Sequence, residues 1–96
     1  MITREDIFKR RDEIIAVADR YGAYDIRLFG SMARGDNNSS SDLDLIVRFQ
    51  PGRSLLDHGG LVMDLCELLG TRVDVIDDDA MRLRFRSSVL SEAIPL

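Results

Sequence analysis

The sequence predicts an α/β (α+β) domain in which helices pack on one face of a small mixed sheet. Apolar residues recur at helical spacing over 4–21 and 55–69, and short apolar runs typical of strands alternate with these segments. The chain has 96 residues, of which 45% are hydrophobic and 31% charged, as expected for one small globular domain over 1–96. With helices on one side only, the order α-β-β-α-β-α should leave the other sheet face or an edge exposed to a ligand or partner.

The first half of the chain predicts one helix followed by a strand. Thr3 is a suitable N-cap for a helix over 4–21, and Gly22 can end it. The next apolar segment, 26–29, predicts a strand that ends at Gly30, where the pattern changes.

The middle of the chain predicts a loop, two strands and a helix between them. The unbroken polar run at 36–41 indicates a loop, and the apolar residues that follow predict a strand over 43–49. Helical periodicity returns over 55–69, where the residues 58–60 precede or interrupt the helix. A third strand is expected over 73–76.

The last segment begins with three aspartates, 77–79, which can cap a helix that extends to Ala93. One of these aspartates would cap the helix, and the other two are expected to lie in solvent. The alternation over 81–86 also fits a strand, so both interpretations stay open. Arginines at 82, 84 and 86 would cover more than half of a helix circumference, which favours solvent or an interface as their surroundings.

Charge and residue counts exclude several classes of function. Thirteen Lys and Arg residues against seventeen Asp and Glu residues argue against direct DNA binding, which depends on basic side chains. The single cysteine, Cys66, is expected in the core, and the single histidine, His58, is expected in a solvated connector. Together they cannot form a zinc cage or an internal disulfide, and Lys9 is misplaced for a P-loop. Catalysis would therefore depend on Asp, Ser and Arg.

The chain has no apolar run near the roughly 18–20 residues of a membrane span, and it begins with charged residues, so a cytoplasmic location is expected. So short a chain buries only about 60–65% of its unfolded surface. A homo- or hetero-oligomer is therefore a reasonable expectation.

Three aspartates lie in or beside predicted strands. Residues i and i+2 of a strand share a face, so Asp42 and Asp44 should point the same way, with Asp74 beside them if the two strands pair. Two such carboxylates about 6 Å apart repel by roughly 3 kcal/mol at an effective dielectric near 20. A hard cation such as Mg²⁺ or Mn²⁺ would turn this repulsion into affinity, and such ions serve phosphoryl chemistry.

A Gly30-Ser31 turn follows the first predicted strand. Its backbone N–H groups and the Ser31 hydroxyl could contact phosphate oxygens at a helix start, and Arg34 lies about one helical turn further on. Each feature also has a simpler explanation. An Asp-x-Asp pair on an edge strand can prevent aggregation, and Gly-Ser turns are common.

Taken together, these residues resemble a known family. Leu-Phe-Gly-Ser-Met-Ala-Arg-Gly at 28–35, Ser-Asp-Leu-Asp at 41–44 and the ending at 89–96 are similar to the minimal nucleotidyltransferase (MNT) group of the DNA polymerase beta nucleotidyltransferase superfamily. The resemblance covers nearly the whole chain. It implies the polymerase beta-like nucleotidyltransferase fold and a metal-dependent enzyme that uses ATP as its nucleotide donor.

The resemblance also implies roles for individual residues. Asp42, Asp44 and Asp74 would be the catalytic and metal-binding residues, with Mg²⁺ or Mn²⁺ as cofactor and Asp74 helping to activate the attacking hydroxyl. The β- and γ-phosphates would be held by a second set of residues: Gly30, Ser31 and Arg34.

The group resembles the antitoxin half of HEPN/MNT toxin-antitoxin modules. The resemblance therefore implies transfer of AMP from ATP to a hydroxyl, foremost that of a tyrosine, on a cognate HEPN ribonuclease toxin. Larger relatives enclose the nucleotide and the acceptor with a helical domain that so short a chain lacks, and the toxin would take its place. Two alternatives remain open: a non-catalytic antitoxin that acts by binding and occlusion, and nucleotidyl transfer to a small-molecule acceptor.

Overall fold

A computed structural model describes residues 2–35 and 42–96, and within these residues the strands form one mixed sheet. The strands are β1 (Ala23–Phe29), β2 (Leu43–Phe49), β3 (Val73–Asp77) and β4 (Ile94–Pro95). Their order is β3-β2-β1-β4, with β1 antiparallel to β2 and β4, and β2 parallel to β3. The predicted mixed sheet is confirmed. The polar run at 36–41, expected as a loop, lies outside the described residues.

Most of the helices cover one face of this sheet, as predicted, but the last helix lies on the opposite face, where its Arg86 shares the Asp78 carboxylate with Arg27 and Arg48. They are α1 (Arg4–Lys9), α2 (Arg11–Arg20), α3 (Ser31–Arg34), α4 (Leu55–Leu69) and α5 (Leu83–Glu92), with a 3₁₀ turn at Asp78–Ala80. Buried side chains of α1, α2 and α4 form one apolar core with Leu28 of β1, Leu45 of β2 and Val75 of β3. Across 2–35 and 42–96, no helix has the length and apolar character that crossing a membrane requires.

The single helix predicted over 4–21 is instead two helices with a break at Arg10. Thr3 caps the first, as expected, through a reciprocal pair of hydrogen bonds with Asp6. Arg10 leaves helical geometry at φ −103° and ψ 16°, and its guanidinium donates a hydrogen bond of 2.8 Å to the Leu68 carbonyl of α4. Arg10 and Leu68 are far apart in the sequence, so the local periodicity could not predict this contact or the break at Arg10.

α4 runs without interruption through the His58-Gly59-Gly60 segment. The expectation that His58 is a solvated connector residue was wrong, because its Nε2 atom lies 2.8 Å from the Val75 carbonyl oxygen and its ring lies against Phe49. Cys66 packs against the core, as expected.

A buried ionic cluster lies on the sheet face opposite the helical layer, at the end away from Asp44. The Asp78 side chain is fully buried and accepts hydrogen bonds from Arg27 of β1 at 2.9 Å, Arg48 of β2 at 3.0 Å and Arg86 of α5 at 2.7 Å. Three elements are thereby joined through one carboxylate. Hydrogen bonds from Arg86 and then from the other two arginines hold the Asp78 pKa well below its usual range, although burial opposes this effect.

This cluster corrects two expectations about the last segment. Asp77 does cap the turn, since its side chain accepts a hydrogen bond from the Asp79 N–H at 2.9 Å, but its neighbour Asp78 is buried rather than solvated. Arg86 is bound to Asp78 instead of lying in solvent or at an interface. Residues 83–92 form a helix, so the alternative of a strand at 81–86 does not hold.

Asp78→Asn should lower the free energy of unfolding by about 3–5 kcal/mol, because removing one partner leaves buried charge uncompensated. The folded-state pKa lies below the unfolded value of about 3.9, so the stabilisation is present above that value and lost as the pH falls. Urea denaturation at about pH 7 and about pH 3 measures both effects. The exposed neighbour provides the control: Asp79→Asn should change stability by less than about 0.5 kcal/mol. Equal losses in the two variants would contradict the assignment.

Candidate functional site

The parallel pairing of β2 with β3 places Asp44 directly opposite Asp74. Leu43 and Leu45, on either side of Asp44, belong to the apolar core, so both carboxylates project from the opposite face. Neighbouring strands lie about 4.8 Å apart, which brings the two aspartates together as expected. β2 is an interior strand, so the interpretation of its Asp-x-Asp pair as protection of an exposed edge does not apply.

Asp42 lies on the same face two residues before Asp44, where its carboxylate is held by an arginine. Its Oδ1 atom is 3.2 Å from the Nε atom of Arg72, which occupies the equivalent position before Asp74. Our sequence reasoning missed Arg72. Its signal is the repeated spacing: Asp42 precedes Asp44 by two residues, as Arg72 precedes Asp74. Among the described residues, no three His, Cys, Asp or Glu side chains are close enough together, as they now stand, to bind a metal ion.

The backbone at Gly30 lies against the Asp44 carboxylate. Gly30 has φ 77° and ψ −151°, and a Cβ atom at this position would lie 2.5 Å from the Asp44 Oδ2 atom. Only glycine accommodates both the positive φ and the close approach. Helix α3 begins at the next residue, Ser31, so the predicted turn into a helix start is present beside the aspartate pair.

Arg34 ends α3 and lies near this carboxylate cluster. Its side chain is 49% exposed, and its Nη1 atom is 3.7 Å from a Glu92 carboxylate oxygen on α5. The positive charge of Arg34 acts to lower the pKa of Asp44, so Arg34 is near enough for its charge to affect that carboxylate. Our sequence reasoning also missed Glu92, which has no local pattern to distinguish it.

The pKa of Asp44 is raised above its ordinary value. Burial is the largest cause, and the negative charges of Asp74 and Asp42 add to it, while Arg34 opposes them. The folded chain therefore holds an ionised Asp44 at a cost in stability near neutral pH. A bound cation would relieve this cost, and the donor set consists of carboxylate oxygens, which hard divalent cations prefer.

Comparison with protein families gives a match over most of the chain. Residues 11–96 match the family described as "Nucleotidyltransferase domain". A relative from Methanocaldococcus jannaschii, which carries the name of a protein adenylyltransferase, is 35% identical over 82 residues, covering 85% of this chain and 88% of the relative. The protein adenylyltransferase MntA of Thermococcus cleftensis is 36% identical over 76 residues, covering 79% of this chain and 77% of that protein.

Solved structures have the same fold. The structure of a protein described as a minimal nucleotidyltransferase has a TM-score of 0.90 and 45% identity, and the match covers 99% of this chain and 97% of that one. A toxin-antitoxin structure with AMP-PNP has a TM-score of 0.75 at 22% identity, covering 88% of this chain and 69% of that one, and this likeness supports the fold alone. The minimal nucleotidyltransferase has the same fold along nearly the whole chain, which confirms the resemblance to that group. Because the family match spans β1 to β4, the chain belongs to the nucleotidyltransferase domain family.

Proposed function

We propose that this chain transfers AMP from ATP to a protein hydroxyl, that of a tyrosine on a cognate HEPN-type ribonuclease toxin, and so neutralises the toxin in the cytoplasm. The observation that carries the proposal is the carboxylate pair of Asp44 and Asp74 directly beside the Gly30-Ser31 turn. Related chains that carry the name of protein adenylyltransferases support a protein as the acceptor. Residues 1–96 would form one catalytic domain.

Asp42, Asp44 and Asp74 would hold the divalent cation, Mg²⁺ or Mn²⁺. The oxygen-only donor set and the raised pKa of Asp44 support this assignment, because positive charge would stabilise the ionised carboxylates. Asp42 is paired with Arg72, so this ion pair would have to break before Asp42 could bind the metal. When bound, the cation would neutralise this cluster and polarise the phosphate groups of ATP.

The Gly30-Ser31 turn and Arg34 would position the triphosphate. The Ser31 hydroxyl and the N–H groups of the turn can donate hydrogen bonds to the β- and γ-phosphates. Arg34 would exchange Glu92, at 3.7 Å, for a phosphate oxygen, because a guanidinium group binds phosphate in the same forked geometry as a carboxylate. α5 would thus keep Arg34 near the site before ATP arrives.

The transfer itself is a displacement at phosphorus. The acceptor hydroxyl oxygen attacks the α-phosphorus of ATP and forms the new P–O bond, while the bond to the bridging α–β oxygen breaks and pyrophosphate leaves with its electron pair. The hydroxyl proton passes to the Asp74 carboxylate, which would act as general base. Asp74 is exposed, so a hydroxyl carried by another protein can reach it.

The toxin would complete the site from the open side of the sheet. Helices α1, α2 and α4 all pack against the other face, so they leave the aspartates accessible to a partner. Two solved structures that share the fold are described as toxin-antitoxin structures, which supports a toxin as the partner.

Asp42→Ala and Asp44→Ala should each reduce labelling of the toxin by α-labelled ATP at least about 100-fold, because each change removes a charge that stabilises the transfer. The assay uses the chain with its co-purified toxin, and the exposed Asp12→Ala variant is the matched control. Unchanged labelling in the two site variants would contradict nucleotidyl transfer at this site. Neutralisation of the toxin by the double variant would instead favour an antitoxin that acts by occlusion.

Asp44→Asn should raise the free energy of unfolding near neutral pH. The folded-state pKa of Asp44 is raised, so ionisation costs stability above it, and asparagine removes that charge at nearly constant size. We expect a gain of no more than about 1 kcal/mol, because solvent screens a partly exposed carboxylate. Mg²⁺ should then raise the melting temperature of the parent chain and of Asp12→Asn but not of Asp44→Asn. An equal Mg²⁺ effect in all three would place the cation elsewhere.

Gly30→Ala should nearly abolish labelling, because the added Cβ would lie 2.5 Å from the Asp44 Oδ2 atom. Gly52→Ala is the matched control, since Gly52 also has a positive φ, 89°, but a Cβ atom added there would have no heavy atom within 4 Å. Both variants should lose about 1–2 kcal/mol of stability from backbone strain, whereas only Gly30→Ala should lose activity. Equal activity in the two variants would show that the contact with Asp44 is unimportant.

A further inference from the structure

Arg4 of α1 binds the backbone of α3, although α1 contributes no residue to the site proposed above. Its Nη1 atom donates a hydrogen bond of 2.9 Å to the Ala33 carbonyl oxygen, 29 residues further along the chain. A Cβ atom added at Gly35 would lie 4.0 Å from the Arg4 Nη2 atom, so the guanidinium also lies near the residue that ends the helix. This partly buried arginine therefore joins α1 to the C-terminal end of α3.

The Ala33 carbonyl is in the last turn of α3, where a carbonyl has no N–H group of the same helix to accept from. The Met32 carbonyl accepts a hydrogen bond of 3.3 Å from the Gly35 N–H group. Gly35 has a left-handed conformation at φ 78°, so the chain leaves the helix there. The donor for the Ala33 carbonyl comes instead from Arg4.

The backbone from which the Arg4 side chain extends is itself fixed. Arg4 is the first residue of α1 and directly follows the N-cap Thr3, whose reciprocal hydrogen bonds with Asp6 hold the first turn. Ile7, one turn further along the helix, is fully buried in the core. Because its helix is anchored in this way, Arg4 can hold the end of α3 in one position.

α3 is thereby held at both of its ends. At its start Gly30 lies against the Asp44 carboxylate, and at its end the Ala33 carbonyl is bound by Arg4. The Ala33 carbonyl and the Arg34 nitrogen belong to one planar peptide group. Fixing this plane fixes the direction in which the Arg34 side chain leaves the backbone.

We propose that Arg4 is a positioning residue for the triphosphate of ATP. By fixing the peptide group between Ala33 and Arg34, it holds the Arg34 guanidinium where the β- and γ-phosphates would lie. The inference rests on the proposed function, because it concerns the same site. A guanidinium that is displaced loses part of the forked geometry with which it binds phosphate. AMP lacks the β- and γ-phosphates, so its binding should not depend on Arg4.

Isothermal titration calorimetry of the full chain with Mg²⁺ tests the proposal. The probes are AMP and the ATP analogue with a methylene group between the α- and β-phosphorus atoms, which cannot release pyrophosphate. Arg4→Gln should weaken binding of the analogue about tenfold and leave AMP binding unchanged, because only the triphosphate reaches Arg34. Arg4→Lys keeps the charge and a donor, so its affinity should lie between those of the parent chain and Arg4→Gln. The matched control is Arg11→Gln, which removes the same charge at an exposed position and should bind the analogue as the parent chain does.

Two further variants separate positioning from stability. Ser54→Ala removes the N-cap of the distant helix α4, so it should lower the melting temperature without weakening analogue binding. The double variant Arg4→Gln with Arg34→Gln should weaken binding by less than the product of the two single effects, because Arg4 acts through Arg34. Independent effects in the double variant would show that Arg4 does not act in this way.

The outcomes distinguish this inference from the proposed function. If Arg34→Gln weakens analogue binding and Arg4→Gln does not, Arg4 has no positioning role, while the proposed triphosphate site stands. Equal losses of AMP and analogue binding in Arg4→Gln would also overturn the inference, because they would indicate general damage to the fold. If neither variant weakens binding of the analogue, the proposed triphosphate site and the inference both fail.

Discussion

The parallel pairing of β2 with β3 is the constraint on which the rest of this structure depends. It buries Leu43 and Leu45 beside Val73 and Val75 against the helical layer. Because side chains alternate along a strand, the same register places the intervening aspartates next to each other on the other face. The apolar contacts that stabilise the fold therefore also force two like charges together, and the fold retains a repulsion that a cation can relieve.

The two ends of this sheet face place a carboxylate in opposite electrostatic surroundings. Asp78 is fully buried yet bound by three arginines, and its pKa is lowered. Asp44 is only partly buried, but it lies beside Asp74, and its pKa is raised. Complete pairing makes the first carboxylate a structural anchor for α5. Incomplete pairing leaves the second one beside like charges with a raised pKa, a pattern that is typical of functional sites.

α5 connects these two ends. Its Arg86 is bound to Asp78, and its Glu92 contacts Arg34 at 3.7 Å beside the aspartate pair. The helix is therefore anchored at the stable end and contributes a charged side chain at the other. The ionic cluster therefore does more than stabilise the fold, because it sets the position of Glu92, the ion-pair partner of Arg34. In the proposed function, a phosphate of ATP would compete with Glu92 for the Arg34 guanidinium.

The sequence by itself determined the elements whose signals are local. Alternation defined β2, the apolar face and Gly70 defined α4, and the two-residue spacing placed Asp42 and Asp44 on one face. Tertiary structure decided the break at Arg10, the burial of Asp78 and the partner of Asp42. Each of these depends on groups far apart in sequence: Arg10 and Leu68 are separated by 58 residues, Arg27 and Asp78 by 51, and Arg72 and Asp42 by 30. A local pattern reports which face a side chain occupies, but only the folded chain decides which distant charge meets it there.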